Sequence, residues 1–179
     1  SANFYSLGNF VGADANNDGQ IDIDTTQKAV PVPNGVVLEL LNGDGTPTGR
    51  TTTTVNGYYL FSGLAAGNYQ VRIAASNFAV GGVIENYQHS TGASQEANPN
   101  NNGDQNDNGV DGTVPATSGI TSGVITLGDN EPTGESPAAS GLAGDDGRGT
   151  LDANSNLTVD FGLIPGKPTA SAQAIYLPV

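Results

Sequence analysis

The chain has 179 residues and a formal net charge of −13, from 18 acidic and 5 basic residues, and it contains no cysteine. Because phosphate binding needs clustered lysine and arginine, this balance excludes nucleic acid as a partner. The lack of cysteine excludes disulfides and zinc–thiolate sites, and the single histidine, His89, excludes a multi-histidine metal centre. No apolar run reaches the ~20 residues of a membrane span.

Short runs of alternating apolar residues, separated by Gly, Asn, Pro and Asp, predict β-strands, and no stretch has sustained helical periodicity. In chain order the strands are predicted at 7–11, 36–41, 50–55, 58–61, 68–74, 119–127 and 157–164. Asn56-Gly57 predicts a tight hairpin between the third and fourth of them. This pattern predicts an all-β fold, an antiparallel β-sandwich formed by residues 1–164 as one domain.

One face of each strand is expected to fill the core of the sandwich. The predicted core side chains are Val36, Leu38, Leu40, Tyr59, Phe61, Leu64, Tyr69, Val71, Ile73, Ile125, Leu127, Leu157, Val159 and Phe161. Two polar stretches, 94–118 and 128–156, are too long for simple connections, and we expect bound ions to order them.

The first metal-binding pattern is D-x-N-x-D-G, which starts at Asp14 and is typical of calcium loops. Alternate residues of such a tight turn aim oxygen atoms at a common centre, and Gly19 permits the reversal of the chain. The predicted ligands are Asp14, Asn16, Asp18, the carbonyl of Gln20, Asp22 and Asp24, the last in place of the usual glutamate, since Thr25 stands at the twelfth position. A solvated turn rich in Asp and Asn is the alternative.

A second copy of the spacing lies in the first long polar stretch. Its predicted ligands are Asp104, Asn106, Asn108, the carbonyl of Val110, and Asp111, with Gly109 at the turn and Asp107 as a source of further charge. A flexible Asn- and Gly-rich linker is the alternative. Both loops predict Ca²⁺ as the ion.

A third acidic group fits no loop template. It consists of Asp129, Glu131, Glu135, Asp145, Asp146 and Asp152. Glu131 or Glu135 could close one of the two calcium sites across space as a bidentate ligand. A solvated acidic loop is the alternative.

Catalysis is not expected from this sequence. A pair of carboxylates could serve a glycosidase, but the acidic residues lie in calcium-like or solvated loops and no aromatic-lined cleft is predicted. His89 next to Ser90, with only a distant aspartate, is not the pattern of a catalytic triad. We predict that the protein is not an enzyme.

Several motifs together resemble the B-type domains of bacterial serine-aspartate-repeat surface proteins, within the wider collagen-adhesin B-repeat group. They are LGNFV at 7–11, DxNxDGxID at 14–22, NGVxLxL at 34–40, TTTxxGxYxFxxLxxGxYxV at 52–71 and NLTVDFGL at 156–163. The resemblance implies a calcium-stabilised, immunoglobulin-like or transthyretin-like sandwich that acts as an extracellular spacer, stalk or adhesive unit. Some relatives form a Lys–Asn isopeptide bond, which we do not expect here, since neither Lys28 nor Lys167 lies in an apolar strand.

The last 15 residues, 165–179, are predicted to form an extended tail. Prolines and a glycine end the final strand, and a strand-like run with Ile175, Leu177 and Val179 on one face follows. The tail could add to a sheet edge of the next subunit and build a homo-polymer head-to-tail, or fold back on its own sandwich.

The sequence therefore predicts two alternative functions. The first is a structural subunit of a surface filament or layer, and the second is a secreted adhesin or carbohydrate-binding module that recognises surface glycans as a monomer. Because the chain starts at Ser1 without a charged-then-apolar leader, we expect an extracellular or cell-surface protein whose signal peptide has been removed.

Overall fold

The computed structural model describes residues 3–112, 114–135 and 151–166, which form two β-sheets. The strands are β1 (Tyr5–Ala13), β2 (Val37–Asn42), β3 (Pro47–Thr53), β4 (Tyr58–Leu64), β5 (Gly67–Ile73), β6 (Gln88–His89), β7 (Ile120–Thr121), β8 (Ile125–Leu127) and β9 (Ser155–Ile164). One sheet has the order β4-β1-β9-β6 and the other β3-β2-β5-β7, with β8 also paired with β5. The predicted β-sandwich is confirmed.

Helical structure is limited to short turns between these strands in the described ranges. One α-helical turn, α1, spans Pro115–Ser118, and 3₁₀ turns span Ala75–Phe78, Pro99–Asn101 and Asp152–Asn154. No helix in the described part of the chain is long and apolar enough to cross a membrane.

The strand predicted at 119–127 is present as two short strands, β7 and β8. Between them lies Ser122, which is fully buried and whose Oγ accepts the N–H of Val71 at 3.0 Å. A side-chain oxygen thus takes the position of a backbone carbonyl, and the regular ladder with β5 stops there for a few residues.

The pairing of β1 with β9 is parallel, whereas β1 pairs with β4 in the expected antiparallel manner. The sequence pattern predicted antiparallel neighbours because short turns join most strands, but no short turn joins β1 to β9. The parallel register brings the end of β1 beside the end of β9, where the N–H of Asp14 donates to the carbonyl of Leu163 at 2.7 Å. The first predicted calcium loop therefore starts at the end of β9.

The core lies between the two sheets and agrees with the prediction. All predicted core side chains are buried except Tyr69, which is partly buried against the core while its hydroxyl donates to the carbonyl of Ala65 at 2.8 Å. Tyr59 and Phe161, which lie in the same sheet, pack within this core at a ring distance of 6.4 Å.

The last strand, β9, is buried on both faces, which alternation alone did not predict. Its second face carries the polar side chains Asn156, Thr158 and Asp160, each no more than 1% exposed. The polar stretch around residues 104–109 covers this face. β9 ends at Ile164, where the predicted tail begins; residues 167–179 of the tail, like Asp145 and Asp146, lie outside the described residues.

Candidate functional site

The two predicted calcium loops, which are far apart in the sequence, lie directly against each other. We call residues 14–24 the first loop and residues 104–111 the second loop. Gln20 and Asn106 form an antiparallel bridge. The N–H of Ile21 donates to the carbonyl of Gln105 at 2.9 Å, and the N–H of Asp107 donates to the carbonyl of Gly19 at 2.9 Å. The two sites predicted separately therefore belong to one continuous polar cluster.

The first loop is organised around Asp14, whose side chain is fully buried. Its Oδ1 accepts the N–H of Asp18 at 3.0 Å, and its Oδ2 accepts the N–H of Gly19 at 2.9 Å and the hydroxyl of Ser90 at 2.6 Å. Gly19 has a φ of +95°, and a Cβ there would collide with the backbone near Gln95. The reversal of the chain at this point therefore needs glycine.

Three other predicted ligands lie on the same turn. Oδ1 of Asn16 accepts the N–H of Asp18 at 3.3 Å, and Oδ1 of Asp18 accepts the N–H of Gln20 at 2.9 Å. Oδ2 of Asp22 accepts the N–H of Ala15 at 2.9 Å and closes the loop on itself. These side-chain oxygens are held in place by backbone N–H groups.

Asp24 is not gathered with the other predicted ligands. Its Oδ1 accepts the N–H of Thr26 at 2.8 Å, the hydroxyl of Thr26 at 2.7 Å and the N–H of Lys28 at 3.0 Å. The hydrogen bonds from Thr26, first of all, hold the pKa of Asp24 below its usual value. Asp24 thus caps a separate turn that follows the calcium-type loop.

In the second loop, the side-chain amides of Asn106 and Asn108 bond to the chain segment that precedes the loop. Nδ2 of Asn106 donates to the carbonyl of Ser94 at 2.6 Å, and Nδ2 of Asn108 donates to the carbonyl of Glu96 at 2.9 Å. Their amide groups thereby fix the preceding polar stretch over β9.

The last two predicted ligands of the second loop are the carbonyl of Val110 and the carboxylate of Asp111. The N–H of Val110 donates to the carbonyl of Thr121 at 2.9 Å, and its side chain is 44% exposed. Oδ2 of Asp111 accepts from Nε2 of Gln95 at 2.7 Å, and Oδ1 lies 3.4 Å from Nδ1 of His89. The side chain of Val110 thus faces outward, and Asp111 contacts residues outside the loop while its charge still acts on Asp107.

Asp107 occupies that centre, although the sequence suggested for it only a supporting charge. It is 1% exposed, and its Oδ1 accepts the N–H groups of Gly109 at 3.1 Å and Gly162 at 3.0 Å. Its Oδ2 is buried and has no hydrogen-bond partner among the described residues. A Cβ at Gly162 would lie 3.4 Å from Cβ of Asp14 and 3.5 Å from Cβ of Asp107, so the two aspartates flank the same glycine.

Asp160 is a second buried carboxylate, and sequence reasoning missed it. It is fully buried on the polar face of β9, where it accepts the N–H of Phe10 at 3.1 Å and of Gln105 at 2.9 Å. The signal that could have revealed it is the alternation of Asn156, Thr158 and Asp160, which places three polar side chains on one face of an otherwise apolar strand.

Burial dominates the electrostatics of this cluster. It raises the pKa of Asp107 to about 7, and the carboxylates of Asp111 and Asp14 act in the same direction. Burial also raises the pKa of Asp160 well above its usual range, with a further contribution from Asp104. Because ionised carboxylates are costly to bury, both acids are held toward the protonated form unless a cation lies beside them.

The chemistry of these donors fits calcium. Ca²⁺ prefers six to eight oxygen ligands, and a carboxylate that accepts one or two N–H groups keeps lone pairs for an ion. The buried Oδ2 of Asp107 has such capacity left. As the side chains stand, no three acidic or histidine groups within the described ranges surround one point closely enough to hold a metal ion, so binding needs side-chain rotation or further ligands such as backbone carbonyls and water.

Comparison with known proteins agrees with the resemblance seen in the sequence. The family model of the SdrD B-like domain matches residues 5–135, which include both loops. The chain is also 39% identical over 70 residues to serine-aspartate repeat-containing protein C of Staphylococcus aureus strains Newman, USA300 and COL. That alignment covers 39% of this chain and only 7% of the length of each relative. The chain belongs to the family of SdrD B-like domains.

Proposed function

We propose that this chain is a calcium-stabilised spacer or adhesive module of a protein displayed on the cell surface. SdrD B-like domains are non-catalytic repeats of surface proteins, and the relatives that the chain matches are serine-aspartate repeat proteins. The observation that carries the calcium part of the proposal is the junction of the two loops over the buried carboxylates Asp107 and Asp160.

The function of the ion would be to hold together parts of the chain that are distant in sequence. The first loop continues from β1, and the second loop is bonded to β9 through Asp107 and Asn108. Carboxylates repel each other when they are buried together, and a divalent cation offsets that repulsion only in the folded state. A module of this kind resists local opening as long as the extracellular medium supplies calcium.

Individual residues have distinct parts in this proposal. Asp14, Asn16, Asp18 and Asp22 present oxygens on one turn, while Asp104 and Asp107 add charge from the second loop. Asn106 and Asn108 position the second loop through their amide groups. Asp24 and Asp111 stabilise neighbouring turns and contacts.

Of the two functions considered from the sequence, the module of an adhesin-like surface protein has the stronger support, because both the family and the relatives are surface-protein repeats. Recognition of surface glycans and assembly through the tail both stay predictions. The tail segment 167–179 lies outside the described residues.

Calcium titration and thermal unfolding test the proposal. Chelation should lower the Tm and increase amide hydrogen exchange in residues 14–24 and 104–111. A site filled to a hundredfold excess over its Kd adds ~2.7 kcal/mol to the free energy of unfolding. Asp18→Asn should lose one bound ion.

Asp44→Asn is a matched control for that variant. Asp44 also caps a tight turn, by accepting the hydroxyl of Thr46 at 2.6 Å, but it lies in the β2–β3 connection, outside both loops. It should retain every ion. Identical melting curves in calcium and in excess chelator would falsify the proposal.

A further inference from the structure

An open groove on the sheet β3-β2-β5-β7 is lined by charged and hydroxyl side chains, and neither predicted calcium loop contributes to it. The groove has a volume of about 400 Å³, which lies within the ~300–1,000 Å³ that is usual for small-ligand sites. We call it the sheet groove. Its polar lining side chains are Glu39, Arg72, Ser76, Thr117 and Ser118.

The floor of the sheet groove is a cross-strand ion pair. Glu39 in β2 lies opposite Arg72 in β5, and Nε of Arg72 donates to Oε2 of Glu39 at 2.5 Å. Their neighbours in the chain, Leu38 and Ile73, are fully buried in the core, so the pair lies on the outer face of the sheet. The other guanidinium N–H groups and Oε1 of Glu39 form no hydrogen bond within the described residues, and the two side chains are 30% and 31% exposed. The pair therefore presents free donors beside a free acceptor, with no net charge.

Two short turns form the walls of the sheet groove, and buried contacts fix both of them. The 3₁₀ turn Ala75–Phe78 is tied to β2 by the buried Asn77, whose Oδ1 accepts the N–H of Val37 at 2.9 Å and whose Nδ2 donates to the carbonyl of Val37 at 2.8 Å. α1 is followed by Gly119, where a Cβ would collide with the carbonyl oxygen of Ile73, so glycine lets α1 lie close against the end of β5. The shape of the groove is therefore set by the fold.

The walls supply hydroxyl groups that the fold itself does not need. Ser76 and Thr117 are exposed, and their hydroxyls form no hydrogen bond within the described ranges. The hydroxyl of Ser118 has only long contacts, to the carbonyls of Val114 at 3.4 Å and Gly119 at 3.5 Å. A polar ligand in the groove can therefore bond to walls and floor without breaking a strong hydrogen bond of the protein.

An uncharged ligand rich in hydroxyls matches these groups better than an ion does. Each hydroxyl of a sugar ring can both donate and accept, so a carboxylate beside a guanidinium can bond to two adjacent hydroxyls. The net charge of −13 repels an approaching anion. Arg72 already neutralises the carboxylate that a cation would need.

We propose that the sheet groove binds one sugar residue of a neutral glycan, with Glu39 accepting from one ring hydroxyl and Arg72 donating to the adjacent one. This inference rests on the adhesive part of the proposed function and gives that part a binding site. Among the described residues no aromatic side chain lines the groove, so hydrogen bonds alone hold the sugar and a single site has a Kd on the order of 1 mM. Several copies displayed on one surface raise the overall affinity.

NMR titration of the ¹⁵N-labelled full chain in saturating calcium tests the site, with the methyl glycosides of glucose, galactose and mannose as probes. At least one glycoside should give saturable shifts, with a Kd on the order of 1 mM. The signals that should move are the Nε–Hε of Arg72 and the backbone amides of Ser76 and Thr117.

Two variants of the floor should each weaken this binding by roughly tenfold, the loss expected for one charge-assisted hydrogen bond. Glu39→Gln keeps the size of the side chain but removes its charge, and Arg72→Lys keeps the charge but removes the planar pair of donors. Arg50→Lys is the matched control, because Arg50 is exposed in β3 and does not line the groove. If a floor variant does not fold, which its ¹H–¹⁵N correlation spectrum would show, Thr117→Val at the exposed wall decides by the same titration.

The proposal would be overturned if none of the three glycosides gave a saturable shift at concentrations well above ~1 mM. Sodium acetate that saturably shifts the same signals would also overturn it, since the groove would then be a carboxylate site, and so would an equal loss of affinity in Arg50→Lys. Melting curves of the same sample with and without chelator test the calcium proposal separately. A lower Tm in chelator without glycoside binding would refute only the groove, and glycoside binding with an unchanged Tm would refute only the stabilisation by calcium.

Discussion

The backbone N–H of Asn108 donates to the carbonyl oxygen of Asp160 at 2.8 Å, and Oδ1 of Asn108 accepts the N–H of Asp160 at 2.9 Å. One asparagine therefore satisfies both backbone groups of a residue in β9, as a neighbouring strand would. Asp107, one residue earlier, forms a parallel bridge with Asp160. The second loop thus continues the sheet beside Asp160.

The first prediction concerns this contact. Asn108→Ala leaves the buried N–H of Asp160 without its acceptor and should lower the free energy of unfolding by about 1–3 kcal/mol. Urea unfolding in saturating calcium measures the change. Asn68→Ala is the control, because Asn68 is exposed and its contact with Thr126 lies at the surface. Equal losses in the two variants would contradict the role given to Asn108.

The second prediction is an unusual pH dependence in the presence of chelator. The pKa of Asp107 rises from 3.8 to about 7 on folding because of burial. Between pH 3.8 and about 7 the folded chain holds a proton that the unfolded chain has lost. The contribution of Asp107 to the free energy of unfolding is therefore fully present below pH 3.8, and it is lost as the pH rises to about 7. The slope is ~1.4 kcal/mol per pH unit for each such group. The raised pKa values of Asp160 and Glu135 act in the same direction.

Thermal unfolding between pH 4.5 and 7.5 in excess chelator tests the sign. The Tm should fall with rising pH, and Asp107→Asn should weaken the slope. In saturating calcium the trend should reverse, because calcium binds the deprotonated carboxylates. Asp24 and Asp44, whose pKa values are lowered by hydrogen bonds from threonine, contribute only at more acidic pH. A Tm that rises with pH in chelator would refute the burial argument.

The third prediction concerns the core. Phe161 is fully buried between the sheets beside Tyr59, and Phe161→Ala should cost about 3–5 kcal/mol. Val80→Ala changes a side chain that is 95% exposed and should change stability by less than about 0.5 kcal/mol. Chemical denaturation in calcium distinguishes them, and a small effect of Phe161→Ala would mean that the sheets pack less tightly than the structure indicates.

The sandwich was predictable because it depends on local patterns. Alternation in β2, β4 and β5, together with the Asn56-Gly57 turn, is sufficient to place strands and core. The parallel pairing of β1 with β9 was not predictable in this way, because it depends on contacts across nearly the whole chain. The calcium-type spacing around Asp14 identified the first loop, but the joining of the two loops depends on the same long-range pairing. Asp160 was not predicted because a lone carboxylate in a strand is usually solvated, whereas here β1 and the second loop both contact it.

The fourth prediction concerns the tail, residues 168–179, which lies outside the described residues. An extended segment of this length reaches ~40 Å, and its alternation of Ile175, Leu177 and Val179 suits addition to a sheet edge. β3 presents such an edge, since β2 is its strand partner within the described ranges. If the tail links subunits, deletion of residues 168–179 should give a monomer that keeps its calcium ions, whereas the full chain assembles with rising concentration.

Light scattering and electron microscopy in calcium measure the assembly. A variant of the same length, Ile175→Lys with Leu177→Lys, tests whether assembly needs the apolar face of the tail or only a tail of that length. This variant should behave like the deletion, because lysines on that face cannot pack on a neighbouring subunit. Head-to-tail contacts of one kind generate open filaments, so the full chain should form fibres rather than closed dimers. Unchanged assembly after the deletion, or a monomeric full chain at every concentration, would leave the module as an independent spacer and rule out strand exchange.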